Sequence, residues 1–146
     1  ELYLQDNANM KVSWEDFNKR KKEDTIEHIY PQSPNDIYWK NRFGHLKPSE
    51  KRQYLNSLGN LLLLNRSKNS KLQNYDFDKK KCLLNKDGKE IGYYNGSYSE
   101  IEVSKHKEWT PDEIKKRGLL MLQFMEERWK FSFDNWNISK EDILFP

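Results

Sequence analysis

Four consecutive leucines, at positions 61 to 64, restrict the fold of this chain more than any other feature. Such a run suits a strand buried on both faces or a piece of buried helix, and Gly59 before it and the polar stretch from Asn65 after it favour the strand. A second β-favouring stretch, residues 25–30, stops at Pro31, because proline has no N–H to donate to a sheet. The sequence therefore predicts two short strands, the first of which runs into a loop.

Helices are predicted on both sides of the second strand and near the end of the chain. Capping residues and apolar spacing predict helices over residues 13–22, 49–57 and 66–84. A longer helix is expected to begin at Thr110, because Thr110, Pro111 and Glu113 supply an N-cap, a first-turn proline and a capping-box acid.

The segment before this last helix carries turn signals. Residues 86–89 (KDGK) predict a turn, and Asn95-Gly96 between tyrosine-rich flanks is a hairpin signal, so we expect a small β-ribbon here. Together the elements predict an α+β fold that is mainly helical. A chain of 146 residues is long enough for one domain with a hydrophobic core, and we assign residues 1–146 to that domain.

Composition limits where the chain works and what it binds. It begins at Glu1 and has no apolar run long enough for a membrane span or signal peptide, so we expect a cytoplasmic C-terminal piece of a longer protein, without a membrane partner. Cys82 is the single cysteine, so neither a disulfide nor a structural zinc site is expected. The net charge of +3 does not argue for nucleic acid by itself, but lysines cluster at residues 19–22 and 79–81.

Two segments carry the chemistry, residues 26–32 (IEHIYPQ) and 59–64 (GNLLLL), and Asn69 follows nine positions after Asn60. Together they resemble the HNH motif. In that family the first strand ends in an acidic or histidine metal ligand followed by the catalytic histidine, the second strand opens with asparagine, and a third motif residue lies at the start of a helix. The resemblance implies a ββα-metal (His-Me finger) core embedded in the helical domain.

The residues of these segments match one branch of the family more closely. They resemble the HNH domain at the C-terminal end of GmrSD-type modification-dependent restriction enzymes, which has IEHIxPQ-like and LGNL segments and a later Asn-x-x-Phe-x-x-Lys. The residues that match the later part of this branch are Asn74, Phe77 and Lys80, and then Trp109, Ile114 and Arg117. The resemblance covers most of the chain, and residues 85–107 are the part in which no family pattern is recognised.

Hydrolysis of a phosphodiester needs a base to deprotonate water and a cation to neutralise developing charge. His28 is the candidate general base, and Glu27 and Asn69 offer hard oxygen ligands for Mg²⁺ or Mn²⁺. By the resemblance, Asn60 hydrogen-bonds near the histidine loop and holds the imidazole in its productive orientation. Since neighbouring strand residues point to opposite faces, Glu27 and His28 can face one metal only if the strand ends or distorts there, and Pro31 favours such an end.

The expected substrate is double-stranded DNA, possibly modified, which the chain nicks or cuts as the effector domain of a bacterial restriction or anti-phage defence protein. The chain has no Gly-rich phosphate loop, so the resemblance implies a separate N-terminal nucleotide-hydrolysing sensor domain as a partner. The predicted contacts to DNA are Arg66, Lys68, Lys71, Asn74, Lys79, Lys80 and Lys81.

Two other functions compete with a nuclease. The chain could be a catalytically inactive DNA-binding module with this fold, or an interaction module whose motif match is accidental. Each motif residue also has a structural interpretation: Glu27 as a surface acid, Asn60 as a turn residue and Asn69 as a helix cap. The filled motif positions and the nine-residue spacing favour the nuclease. We expect no site role for His45 or His106. The five tryptophans are expected to be core or semi-core anchors, with stacking on a base as the alternative for an exposed one.

Overall fold

The computed structural model describes residues 24–146, so the helix predicted over residues 13–22 and its Trp14 lie outside the described part. Two strands are present in it, β1 (Asp24–His28) and β2 (Leu61–Asn65). The α-helices are α1 (Ile37–Phe43), α2 (Pro48–Asn56), α3 (Arg66–Leu72), α4 (Phe77–Lys81), α5 (Tyr98–Ser104), α6 (Pro111–Trp129) and α7 (Lys140–Leu144). Short 3₁₀ turns occupy Leu58–Asn60, Tyr93–Asn95 and Phe133–Trp136. The α+β prediction is confirmed.

The two predicted strands pair with each other in antiparallel register. His28 lies opposite Leu61 and Asp24 opposite Asn65, so β1 and β2 match over their whole length. Leu62 and Leu64 are buried, whereas Leu63 is 53% exposed. The leucine run is thus a strand with one buried face and not, as we considered, a strand buried on both. Because α3 follows β2 directly, the chain has a ββα unit.

The helix predicted over residues 66–84 is two short helices. Asn65 caps α3 by accepting a hydrogen bond from the Ser67 N–H at 2.9 Å, so the helix begins before Asn69. It ends because Gln73 has φ 43°, a left-handed conformation that an α-helix does not continue. Asp76 then caps α4 by accepting from the Lys79 N–H at 2.8 Å. Two capping signals in the polar stretch therefore divide the expected helix.

The β-ribbon prediction was wrong except for one bridge. Leu84 and Glu90 form an isolated antiparallel bridge across the predicted turn. The Asn95-Gly96 hairpin is instead a 3₁₀ turn that leads into α5. Ser97 and Glu100 form a reciprocal capping box at the start of that helix. This S-x-x-E signal overrides the Asn-Gly hairpin signal because it satisfies the free N–H groups of the first helical turn.

An aromatic cluster forms the core beside the sheet. Tyr30 stacks on Phe43 with ring centroids 3.8 Å apart, and Trp39 and Trp109 are fully buried. Trp129, in contrast, is 61% exposed and Trp136 is 59% exposed. The expectation that these two anchor the core was therefore wrong. In the described part of the chain, no helix has the length and apolar character needed to cross a membrane.

The long helix α6 lies against the turn that precedes β2, and glycines allow this close approach. A Cβ atom at Gly59 would lie 1.9 Å from the carbonyl oxygen of Ile114, well inside van der Waals contact. Only glycine fits there, because any side chain would push the helix away from the turn. Helix α6 starts at Pro111 after Thr110, as predicted, and it packs against the turn Leu58–Asn60 that leads into β2.

Candidate active site

The end of β1 and the helix α3 border a cavity of about 150 Å³. Glu27, His28 and Asn69, three of the residues predicted to carry the chemistry, all line it. The other lining residues are Pro31, Gln32, Gln73 and Asn74. The structure therefore brings residues 27, 28 and 69 together although more than forty positions separate the strand residues from Asn69.

Glu27 is a buried carboxylate, only 4% exposed, held by two side-chain donors. The Lys80 ammonium donates to its Oε1 at 2.6 Å, and the Tyr93 hydroxyl donates to the same oxygen at 2.9 Å. Burial raises the pKa of Glu27, and the charge of Lys80 and the hydrogen bonds from Lys80, from Tyr93 and from the His28 backbone oppose that rise. Since both donors use Oε1, neither of them occupies Oε2.

His28 is the last residue of β1, and both it and Glu27 line the cavity. The Ile29 N–H donates to the backbone carbonyl of Asn60 at 3.0 Å, one position beyond the His28–Leu61 pair in the same register. The expected end of the strand before Pro31 is thus observed. Burial, and secondly the positive charge of Lys80, lower the pKa of His28. The lowered pKa favours the uncharged imidazole, which is the form that can accept a proton.

Asn69 projects from the middle of α3 toward β1. Its Nδ2 donates to Thr25 Oγ1 at 2.9 Å and to the Ile26 carbonyl at 3.0 Å. A carbonyl oxygen can only accept, so the amide nitrogen must face Ile26 and the orientation of the Asn69 amide is settled. Both N–H groups are used by β1, which leaves the Oδ1 atom as the part of this amide that can bind a cation.

Asn60 is fully buried and hydrogen-bonds the loop after His28 and not the cavity. Its Oδ1 accepts from the Tyr30 N–H at 2.8 Å and from the Trp109 indole at 3.2 Å. Its Nδ2 donates to the carbonyls of Tyr30 and Leu55, each at 3.0 Å. Asn60 therefore acts on the backbone that follows the histidine, in agreement with the expected contact near the histidine loop.

A buried, positively charged side chain binds backbone carbonyl groups at one end of each strand. Lys80 donates to the carbonyls of His28 at 2.9 Å and Ile29 at 3.1 Å, at the end of β1. Arg117, from α6, donates to the carbonyls of Gly59 at 2.8 Å and Leu61 at 3.1 Å, at the start of β2. Carbonyl groups at strand ends lack ladder partners, so these side chains satisfy them and fix both segments.

The side chains predicted to contact DNA fall into two groups. Those exposed to solvent are Arg66, Lys71, Asn74 and Lys79. The other three bind other parts of the protein: Lys68 pairs with Glu100, Lys81 pairs with Asp78 at 2.9 Å, and Lys80 has a fully buried side chain. The lysine run at residues 79–81 is therefore not one phosphate-binding patch, and Lys80 leaves the set of DNA contacts.

Sequence reasoning missed two contributions to this site. Phe77 and Lys80 are three residues apart in α4 and both are fully buried, so the helical spacing was a signal that Lys80 shares the face of Phe77. Tyr93 had no such signal, because it lies in the segment, residues 85–107, for which we recognised no pattern. Its contact with Glu27 depends on tertiary structure alone.

The oxygen atoms near the cavity suit a hard divalent cation. A carboxylate and an amide oxygen are ligands that Mg²⁺ and Mn²⁺ accept, and such ions keep several coordination positions for water and phosphate. Within residues 24–146, no group of three or more histidine, cysteine, aspartate or glutamate side chains is placed to hold a metal ion. Glu27 and Asn69 would supply two such oxygen ligands to a cation and would leave its other coordination positions to water and substrate.

A family model described as GmrSD restriction endonucleases, C-terminal domain, matches residues 2–124. Neither the curated proteins nor the solved structures contain a match to the chain. The matched range covers most of the 146 residues and includes every residue that lines the cavity. A nuclease role in restriction, with DNA as the substrate, goes with this family. The chain therefore belongs to the C-terminal domain family of the GmrSD restriction endonucleases.

Proposed function

We propose that this domain is a metal-dependent HNH endonuclease or nickase, with the strands β1 and β2 and the helix α3 as its ββα-metal core. The observation that carries the proposal is that Glu27, His28 and Asn69 line one cavity. A candidate base and two oxygen ligands in one cavity are what phosphodiester hydrolysis requires.

Each residue has a separate role in the proposed reaction. His28 accepts the proton of the attacking water, a role that its lowered pKa favours because a general base must be uncharged. Glu27 Oε2 and Asn69 Oδ1 would hold the cation, which would neutralise charge at the phosphate and the leaving oxygen. Asn60 keeps the loop after His28 in place through the Tyr30 backbone.

Double-stranded DNA, possibly modified, is the proposed substrate. Arg66 lies three residues before Asn69 on α3, and Asn74 lines the cavity itself. With the exposed Lys71 and Lys79, these residues form the proposed contact surface for phosphates. A separate nucleotide-hydrolysing sensor domain is the proposed source of target recognition, and a bacterial cytoplasm is the proposed location.

The test compares His28→Ala with Asn69→Ala in nicking of plasmid DNA with Mg²⁺ or Mn²⁺. His28→Ala should reduce the rate by about 10²- to 10⁴-fold, the usual contribution of a positioned general base. Asn69→Ala should lose activity through the cation, so a higher cation concentration should restore part of it but should not restore His28→Ala. His45→Ala, which changes an exposed histidine outside the cavity, is the matched control.

The assay also separates the nuclease from the inactive DNA-binding module. If the sensor domain is needed for cutting, the comparison is made in the full-length protein. Equal cutting by wild-type protein and His28→Ala would refute the proposed mechanism. DNA binding without any cutting by the wild-type full-length protein would favour the inactive module.

A further inference from the structure

Lys80 has the environment of a structural cation and not that of a surface lysine. Its side chain is fully buried, and its ammonium donates to Glu27 Oε1 at 2.6 Å and to the carbonyls of His28 and Ile29. An ammonium has three N–H donors, and here three acceptors within residues 27–29 take them. Burying a lysine costs free energy unless its charge is paired. Here Glu27 pairs with the charge of Lys80, and both groups lie at the end of β1.

Tyr93 approaches the same carboxylate from another part of the chain. It is fully buried in the 3₁₀ turn Tyr93–Asn95, and its hydroxyl donates to Glu27 Oε1 at 2.9 Å. Two donors that meet on one oxygen fix the rotation of the carboxylate group about its last bond. The other oxygen, Oε2, is then held in one direction without being bound by either Lys80 or Tyr93.

We propose that Lys80 and Tyr93 are positioning residues that hold Glu27 so that Oε2 is presented to the catalytic cation. This inference rests on the proposed function, because it takes Glu27 as a cation ligand. Lys80 has a second effect that Tyr93 lacks, since it also binds the backbone of His28 and Ile29. The two residues should therefore differ in what their removal does to catalysis.

The role of residues 85–107, in which the sequence showed no recognisable pattern, is to bring Tyr93 to Glu27. The turn at residues 92–95 brings Tyr93 into the protein interior beside Glu27. At Gly92 a Cβ atom would lie 2.1 Å from the carbonyl oxygen of Lys81, so this turn packs directly on the end of α4. The same close contact places Tyr93 near Lys80, which precedes Lys81 on that helix. One packing contact thus positions both side chains, Lys80 and Tyr93, that donate to Glu27.

The test measures binding of Mn²⁺ to the whole 146-residue chain without DNA, from the electron paramagnetic resonance signal of free Mn²⁺. Tyr93→Phe removes only the hydroxyl, and Lys80→Met removes the charge at similar length. The matched controls change exposed residues of the same two types, Tyr94→Phe and Lys86→Met. Removing a hydrogen bond to a metal ligand typically weakens metal affinity by about 10- to 100-fold. We expect Tyr93→Phe to bind Mn²⁺ about 10-fold more weakly and both controls to match wild type.

Cleavage assays separate the two positioning residues. At saturating Mn²⁺, Tyr93→Phe should regain nearly the wild-type rate, because Lys80 still holds the backbone of His28. Lys80→Met should remain slow, because its side chain no longer binds the carbonyls of residues 28 and 29. Circular dichroism and urea unfolding verify that each variant is folded, and if Lys80→Met does not fold, Tyr93→Phe decides the question.

Glu27→Gln distinguishes a failure of this inference from a failure of the proposed function. If Glu27→Gln binds Mn²⁺ as tightly as wild type, Glu27 is not a cation ligand, and both the metal site and this inference are overturned. If Glu27→Gln binds weakly but folded Tyr93→Phe binds like wild type, the metal site stands and the positioning role is overturned. Weakened binding in both variants supports the inference.

Discussion

Asn60 hydrogen-bonds both backbone groups of Tyr30: its Oδ1 accepts from the Tyr30 N–H at 2.8 Å, and its Nδ2 donates to the Tyr30 carbonyl at 3.0 Å. The asparagine side chain thus takes the place of a neighbouring strand just where β1 has ended. It connects the start of β2 to the loop that follows His28. The amide is the one side-chain type of this size with a donor and an acceptor to match a backbone peptide unit.

Asn60→Ala should therefore destabilise the fold. The substitution leaves the buried N–H groups of Tyr30 and Trp109 without their acceptor, and each unsatisfied buried group costs about 1–3 kcal/mol. We expect a decrease of about 3 kcal/mol in the free energy of unfolding, measured by urea denaturation. Asn56→Ala is the control, because Asn56 is exposed and bonds only its own helix at Arg52. A decrease equal to that of the control would contradict the role given to Asn60.

The pKa of His28 sets the pH dependence of cleavage. Burial and the charge of Lys80 lower the pKa of His28 below its ordinary value of 6.5, so the neutral form persists to lower pH. A bound cation would act in the same direction, because it also disfavours the charged imidazole. The acidic limb of kcat/KM for plasmid nicking, followed from about pH 5 to about pH 8, should therefore have its midpoint below 6.5. A midpoint above 6.5 would show that another group, or a differently placed His28, controls the reaction.

Local signals were enough to predict both strands, whereas the ββα arrangement came from the family resemblance. The leucine run predicted β2, and Pro31 predicted the end of a first strand over residues 25–30, two residues beyond the observed end of β1 at His28, because both features act through nearby residues. Local competition explains the errors: Asn65 and Asp76 are helix caps within the segment expected to be one helix, and the capping box at Ser97 outweighed the Asn-Gly signal.

Tertiary contacts in the site were less predictable. The spacing of Asn60 and Asn69 placed them near the strands, but the hydrogen bond of Tyr93 to Glu27 joins residues 66 positions apart. No periodic pattern encodes such a contact. The buried position of Lys80 was not predicted for a different reason. A lysine between two lysines is expected to be exposed to solvent, and only its position on the same helical face as the buried Phe77 indicates otherwise.

Neighbouring lysines in one run should contribute differently to DNA binding. Lys79 is exposed, whereas the ammonium of Lys81 is paired with Asp78 and donates to the His106 carbonyl at 3.3 Å. Removing one lysine that neutralises a phosphate reduces the salt dependence of binding, the slope of log K against log salt, by about 1. We expect that reduction for Lys79→Ala and no change for Lys81→Ala, measured by fluorescence anisotropy across a salt series. Equal slopes for the two variants would refute the proposed phosphate surface at Lys79.

Binding of the cation and binding of DNA should strengthen each other. Lys80 balances the charge of Glu27, and Asn69 is neutral, so the proposed ligands present little net negative charge to a divalent ion. The phosphate of the substrate supplies the remaining negative charge around such an ion, as substrate phosphates commonly do at Mg²⁺ sites.

We therefore expect Mn²⁺ to bind about 10-fold more tightly when uncleaved DNA is present, within the usual range of coupling between two ligands. The measurement uses His28→Ala, which keeps both proposed ligands but should not cut the DNA. Because coupling is reciprocal, Mn²⁺ should increase the affinity for DNA by the same factor, and Asn69→Ala should weaken this increase. Mn²⁺ affinity that is tight and unaffected by DNA would show that the protein alone completes the metal site, contrary to the charge balance set by Lys80.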